Sequence, residues 1–333
     1  MRTTLKDIAR YLNVSTTTVS RAMNDKDDIS LEMRQKVLET ARLLDYKPNS
    51  VAISLRKKTA SKLIGVIIPV LDHYFFSTIL RGITAPVDNH DYMIMIGESN
   101  HDVDKEKELI NKFSDHYVAG VIFIPSRNKK SSENLSLLQR RQTPFILIDR
   151  IFENYNGSYI QHDDYHGAYH ATQHLINRGC TKIAMLRGSD ECTVSQARLS
   201  GFVAAIDDAS LEVNPDYIQS CIQASKKEGY NATRVLVEKS NPPDAIFCIT
   251  DHLAAGVLEY ANEHNIQVPQ QLSVVGYSNS EISENLSPKL TTVAQDGYEM
   301  GRVAKEYLIQ LFHHKKLVQQ KIFPSELIIR ESS

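Results

Sequence analysis

The sequence predicts an N-terminal all-α head built on a helix-turn-helix, followed by an α/β body of two lobes with parallel sheets. Three observations carry that prediction. Apolar residues recur at helical spacing through the first 45 residues, punctuated by hydroxyl caps. From Lys62 onward, short β-branched runs alternate with amphipathic stretches. Charge divides at the same point: residues 1–60 hold 12 Lys+Arg against 7 Asp+Glu, a net +5, and the rest hold 26 against 33, a net −7. A basic head on an acidic body implies that only the head meets a polyanion.

In the head, Thr4 can cap a first helix with Asp7 three places on as its capping-box partner. Leu5, Ile8, Ala9 and Leu12 then fall on one face. Asn13-Val14 makes the break, since Asn tolerates the left-handed conformation of a tight turn. Ser15 caps a second helix running to about Asn24, whose Val19 and Met23 can face Ile8 and Leu12. Ser30 caps a third, with Met33, Val37, Ala41 and Leu44 as its apolar stripe. The second helix carries three threonines in a row, which are poor helix formers. Thr16, Thr17, Ser20 and Arg21 stand off the core and line the face that would enter a major groove. Hydroxyls there suit base edges and phosphates, a Thr methyl can meet a thymine methyl, and Arg21 can reach guanine O6 and N7 together. Pro48 ends the third helix. Asn49 can cap a further short helix carrying Val51, Ala52 and Leu55, with Arg56, Lys57 and Lys58 next. That segment is too short to be stable alone and reads as one that folds on its partner. An apolar wedge beside a basic cluster is the pattern of minor-groove kinking.

"LKDIARYLNVSTTTVSRAMN" together with "YKPNSVAISLR" resembles the DNA-binding head of the LacI/GalR-type (lactose/purine repressor) transcription regulators. The resemblance is dense over residues 4–58 and continues along the chain. It implies that Thr16, Thr17 and Arg21 read bases and that Ser15, Thr18 and Asn24 hold phosphates. It implies that Leu55 is levered into the central step of a palindromic operator with Arg56 beside it. The expected division is 1–48 head, 49–60 hinge helix and linker, and 61–333 effector-binding and dimerisation body.

The body's runs are "LIGVIIPVL", "YMIMIG", "VAGVIFIPS", "PFILIDR", "KIAMLRG", "DAIFCIT" and "LSVVGYS". Each is short and nearly continuous, as strands buried on both faces are. Helical stretches such as "DVDKEKELINKFSDHY" separate them, which implies right-handed crossovers. Two such units fit the length, and the tail "TTVAQDGYEMGRVAKEYLIQL…KIFPSELIIRES" adds strand, helix and strand. The arrangement resembles the periplasmic-binding-protein-like body of the same family. Lobe 1 is expected at about 61–160 and 293–322, lobe 2 at about 163–290 and 323–333. No heptad extension is seen, so a homodimer is expected.

A cleft between such lobes puts ligand groups at strand carboxyl ends. Those ends offer Asp72, Phe75 and Phe76, then Asp149-Arg150, Asp163 at a crossing, Arg198 in "SQARLSGF", Asp251, Ser278 and Gln295. Aromatic faces with charged and amide groups suit a small polyhydroxylated or heterocyclic effector: a sugar, a sugar phosphate or a nucleoside. The resemblance implies that Arg198 is a ligand-binding arginine and supports Phe76, Asp251 and Gln295. Two departures stand out. Many relatives carry aspartate after the Gly-Tyr pair where this chain has Ser278. The first loop reads His73-Tyr74-Phe75-Phe76, where Asn-Pro-Phe-Phe is common.

His162, His166, His170 and His174 repeat every four residues, a spacing that zinc sites use on helices. A zinc site also needs a third ligand at closing distance, and with a helix starting near Tyr165 His162 is expected off the helix, so no metal and no cofactor is expected. Cys180, Cys192, Cys221 and Cys248 lack metal spacing and fit free thiols in a reducing cytoplasm. No signal-peptide core and no membrane-length apolar run is present. No nucleophile elbow or phosphate loop is present either, which speaks against an enzyme. A transporter's solute-binding protein would share the body but would need export and lack the basic head. The expected function is a ligand-responsive repressor of carbohydrate genes acting on double-stranded operator DNA.

Overall fold

Helices form in the head where the caps lie: Leu5–Leu12 (α1), Thr16–Met23 (α2) and Leu31–Leu43 (α3). Asp7 accepts both the Thr4 N–H (2.9 Å) and the Thr4 hydroxyl (2.6 Å). Asn13 takes φ 51, and the N–H of Val14 reaches back to the Ala9 carbonyl (3.0 Å), a Schellman-type stop that sets the turn. The Thr18 N–H donates to Ser15 Oγ (3.0 Å) and the two hydroxyls pair at 2.8 Å, so the cap meets one orphan donor of the β-branched run. Ile8, Ala9, Val19, Ala22, Val37 and Ala41 form the core, with Leu12, Met23, Met33 and Leu44 packed around it. The structure is a computed structural model that describes residues 3–24, 28–46, 62–86, 92–314 and 317–333. The expected hinge over 49–60, with Asn49, Leu55 and Arg56, lies outside the described residues. The chain divides into two compact units, Met1–Ser61 and Lys62–Ser333.

The body holds two six-stranded sheets. The first contains Leu63–Ile68 (β1), Met93–Glu98 (β2), Gly120–Phe123 (β3), Phe145–Ile148 (β4), Tyr159–His162 (β5) and Gln320–Phe323 (β11) in the order β11-β5-β4-β3-β1-β2. All its pairings are parallel. The second contains Ile183–Arg187 (β6), Ile218–Ser220 (β7), Ala245–Cys248 (β8), Ser273–Ser278 (β9), Thr291–Ala294 (β10) and Glu326–Ile328 (β12) in the order β12-β10-β9-β8-β6-β7. Side chains alternate between two apolar layers: Ile64, Val66 and Ile68 join one cluster and Ile67 the other. Helices cover both faces, which is why the strands read as unbroken apolar runs.

The helices are Tyr74–Thr84 (α4), Val103–Asp115 (α5), Glu133–Arg140 (α6), Asp164–Asn177 (α7), Thr193–Asp208 (α8), Lys226–Val237 (α9), Asp251–Glu263 (α10), Glu281–Asn285 (α11) and Gly297–His313 (α12). Helices α4 and α12 pack so closely that a Cβ on Gly82 would overlap the Tyr298 carbonyl. Among the described residues no helix is long and apolar enough to cross a membrane.

The chain passes between the lobes three times, after β5, after β10 and after β11. Two expectations are corrected here. Residues 291–294 complete the second sheet, so the return to lobe 1 falls at Gln295-Asp296 and not at 290–293. The last apolar run is not one strand: Pro324 interrupts it, leaving β11 in the first sheet and β12 in the second. Strand β12 pairs antiparallel with β10. Because β11 already runs toward the crossing, a direct passage without a helix can only enter the other sheet in reverse. Ser325 ties two of the crossings together. Its hydroxyl donates to the Asp163 carbonyl (2.7 Å) and meets His162 Nδ1 at 2.9 Å, while the Asp163 N–H donates to the Phe323 carbonyl (2.9 Å).

Candidate functional site

The head exposes Ser15, Thr16, Thr17, Arg21 and Asn24, and leaves Thr18 and Ser20 half-buried. Val19 and Ala22, from the same helix, are buried in the core. Helix α2 therefore turns its hydroxyls outward, and a groove-facing surface needs that division. Arg21 is ion-paired with Asp28, with both side chains about half exposed. Asn24 donates to the Ser20 carbonyl (2.7 Å) and closes the helix end.

In the body, the strand carboxyl ends of both sheets converge on one cleft. From lobe 1 come Val70, His73, Phe75 and Phe76 after β1, His101 after β2, Arg127 after β3, and Asp149 and Arg150 after β4. From lobe 2 come Ser189, Ser195 and Arg198 after β6, Ile222 and Gln223 after β7, Ile249 and Thr250 after β8, Ser278 at the end of β9 and Gln295 after β10. Several of these residues sit in strained backbone, with φ 59 at His101, 71 at Asp149 and 111 at Ser278. Non-glycine residues persist at such angles only where surrounding structure holds them, a mark of functional loops.

Seven of the ten effector-site residues named from sequence line this cleft: Phe75, Phe76, Asp149, Arg150, Arg198, Ser278 and Gln295. Three do not. Asp72 is exposed on the loop after β1. Asp163 lines a neighbouring depression with His162 and His166, and caps α7 by accepting the His166 N–H (3.1 Å). Asp251 is buried, but its oxygens are taken by Thr292 Oγ1 (2.5 Å), the Ser280 N–H (2.6 Å) and the Ser280 hydroxyl (2.8 Å). It braces the loop after β9 and does not line the cleft. The cleft also takes His101, Arg127 and Ser195, which the sequence does not mark, and His73, marked only as a departure in the first loop. The strand-end rule applied to β2 and β3 would have found His101 and Arg127.

Arg198 stands on the cleft floor, almost fully buried. It donates through Nε to Asp164 (2.8 Å) and through Nη1 to the Ile249 carbonyl (2.5 Å), and its guanidinium lies 3.5 Å over the Tyr277 ring. Arg150 donates to the Pro125 carbonyl (2.8 Å) and sits 5.3 Å from the centre of the Phe76 ring. Burial pushes the Asp149 carboxyl up to about 6, against the pull of Arg150. Burial, with His252 and the arginines Arg150, Arg198 and Arg127 adding to it, pulls His73 down to about 4. Burial and the charges of Arg150 and Arg127 pull His101 down to about 3. Both imidazoles are therefore neutral at pH 7.

Eight buried side-chain polar atoms among the described residues have no hydrogen-bond partner. Five of them line this cleft: His73 Nδ1, Asp149 Oδ1, Arg150 Nε, Ser195 Oγ and Gln295 Nε2. Buried polar atoms are nearly always satisfied in folded proteins, so a cluster of exceptions marks a place where another molecule supplies the partners.

The histidine repeat disperses. His162 bonds Ser325, His166 Nδ1 meets Asp163 at 2.8 Å, His174 Nε2 meets Ser333 at 2.9 Å, and His170 packs edge-on against Tyr169. Among the described residues no group of three or more His, Cys, Asp or Glu side chains is placed to hold a metal ion. All four cysteines are free and buried.

Comparison with known proteins places both units. Residues 4–49 match the family described as "Bacterial regulatory proteins, lacI family", and residues 172–333 match a periplasmic binding protein-like domain. The HTH-type transcriptional regulator RegA of Clostridium saccharobutylicum is 32% identical over 337 residues, covering 100% of both chains. A lac repressor dimer solved on its operator with the anti-inducer ONPF is 25% identical, with a TM-score of 0.85 over 100% of this chain and 99% of that one. A LacI family regulator from Enterococcus faecium solved with bound ribose is 27% identical, with a TM-score of 0.70 over 81% of this chain and 98% of that one. A hydroxyl-faced helix-turn-helix, a two-lobed body with three crossings and a relative of this identity along the whole length lead to one conclusion: the chain belongs to the lacI family of bacterial regulatory proteins.

Proposed function

We propose that this protein is a transcriptional repressor that binds a palindromic operator as a homodimer, and that a small molecule in the interlobe cleft sets its operator affinity. The observation that carries the effector half of this reading is the group of five unpartnered buried polar atoms in one cleft, walled by Phe75 and Phe76. The effector is a sugar or sugar derivative, a reading supported by the ribose held by the Enterococcus relative. Thr16, Thr17 and Arg21 read base edges, and Ser15, Thr18 and Asn24 hold phosphates. Asn49, Leu55 and Arg56 serve the minor groove between half-sites. Ligand that favours one relative rotation of the lobes shifts operator affinity by a coupling free energy, typically about 1–3 kcal/mol. We assign the cleft no reaction: a family of transcriptional regulators needs binding there, not turnover. The protein works in the cytoplasm, where the operator is.

The test is a selection from random duplexes by the full-length chain at low salt, followed by release assays with a sugar panel. A two-fold symmetric sequence should be enriched and its retention should change with one class of compound. Enrichment of no symmetric sequence overturns the reading.

A further inference from the structure

The charge in the cleft does not balance. Asp164 is committed to Arg198, at 2.7 Å and 2.8 Å. That leaves Arg127 and Arg150 with Asp149 as the one nearby carboxylate, 3.6 Å from Arg150 Nε and beyond hydrogen-bond reach, while Glu228 acts on Arg127 only at longer range. Among the described residues no carboxylate lies within ion-pair distance of Arg127. Its Nε and Nη2 instead meet His101 Nε2 at 3.2 Å and 2.9 Å. Arginine only donates, so Nε2 must be the acceptor and the His101 proton sits on Nδ1. Arg150 Nη1, 3.5 Å from that Nδ1, donates to Pro125 instead. The loops after β3 and β4 thus bring two guanidinium groups to one neutral imidazole, and Arg150 Nε is buried with no acceptor.

That loop is also held rigidly. The buried Glu106 carboxylate on α5 accepts from the Ser126 N–H (2.6 Å), the Ser131 hydroxyl (2.6 Å) and the Asn134 amide (3.0 Å). A side chain placed this firmly with no anionic partner is built for one that arrives from outside, and guanidinium forks match planar or tetrahedral oxyanions by paired hydrogen bonds.

We propose that the effector carries an oxyanion, a carboxylate or a phosphate, which seats on Arg127 and Arg150 beside His101. The inference rests on the cleft being the effector site. It narrows the effector to an acidic or phosphorylated sugar and excludes a neutral one. Arg127 and Arg150 would grip the anion, while Phe76, Gln295 and Ser278 meet the rest of the molecule.

Matched pairs test this by titration calorimetry on the full-length protein: glucose with glucose 6-phosphate, ribose with ribose 5-phosphate, and galactose with galacturonate. Inorganic phosphate and acetate serve as competitors. The charged member of at least one pair should bind at least tenfold more tightly than its neutral partner. Arg127→Gln should erase most of that preference and Arg127→Lys should restore part of it, with circular dichroism confirming that both variants fold. Preference for phosphate esters or for the uronate identifies which oxyanion is used. Tighter or equal binding of the neutral members overturns the oxyanion proposal and leaves the effector site standing. A panel in which no compound of either charge binds, and none alters operator retention, overturns both.

Discussion

Arg198 is enclosed by Asp164, the Ile249 carbonyl and the Tyr277 ring, and this changes what its removal would do. From the resemblance it is a ligand contact. In the structure it is half of a buried ion pair, and breaking such a pair strands the other charge. Arg198→Ala should lower the body's stability by about 3–5 kcal/mol in urea unfolding, with the Asp164→Ala/Arg198→Ala double variant losing less than the sum. A loss below about 1 kcal/mol would mean the pair is weak and the arginine free for ligand. Asp149 makes a second residue-scale prediction. Its carboxyl is raised by burial from 3.8 to about 6, so ionising it in the folded state is unfavourable, and stability is lost as pH rises from about 4 through about 6. Asp149→Asn removes that loss. The melting temperature of the variant relative to the parent should climb between pH 4 and pH 7, and a difference flat with pH contradicts it. Sequence could locate Asp149, because a carboxylate closing the run "PFILID" marks a strand end. It could not tell that Asp251, also at a strand end, has both oxygens taken by Ser280 and Thr292. Periodicity gives position and says nothing of hydrogen-bond partners far along the chain.

At the scale of elements, the head was the most legible part. Caps at Ser15 and Ser30, a left-handed Asn13 and helical spacing of apolar residues are all local signals, and each maps onto a bond or a dihedral. Ser15→Ala should destabilise the head by about 0.5–2 kcal/mol, read from its thermal unfolding, because the Thr18 N–H loses its acceptor. On the proposed reading Arg21 exchanges Asp28 for a base, and a half-exposed pair is worth under about 1 kcal/mol, so the exchange is cheap. Arg21→Ala should cost about 1–3 kcal/mol at one base position, measured by competition among operator variants. Equal loss on every sequence would reduce it to a phosphate contact. In the body, long apolar runs were readable as strands, but β7, with three residues, is too short for any pattern. The run ending in β12 reads as one strand, yet the lobe bounds expected at 322 and 323 already put its two halves in different lobes, and Pro324 marks where the strand breaks.

For the whole molecule, two lobes joined by three crossings form a device with few ways to move. Ser325 bonds across two of those crossings and does not line the cleft, so it belongs to the hinge and not to the ligand. Ser325→Ala should leave effector affinity in the isolated protein within a few-fold but change the ratio of operator affinities with and without effector. A ratio identical to the parent's would show that these bonds do not report lobe rotation. The charge split along the chain, +5 then −7, fits a protein that touches DNA at one end only, and operator affinity should fall steeply with salt. The most direct measurement is operator affinity of the full-length chain, on its selected palindrome, with and without a compound that calorimetry places in the cleft. The account predicts a shift of roughly 5- to 150-fold between the two states. Tight binding of the compound with operator affinity unchanged would contradict it.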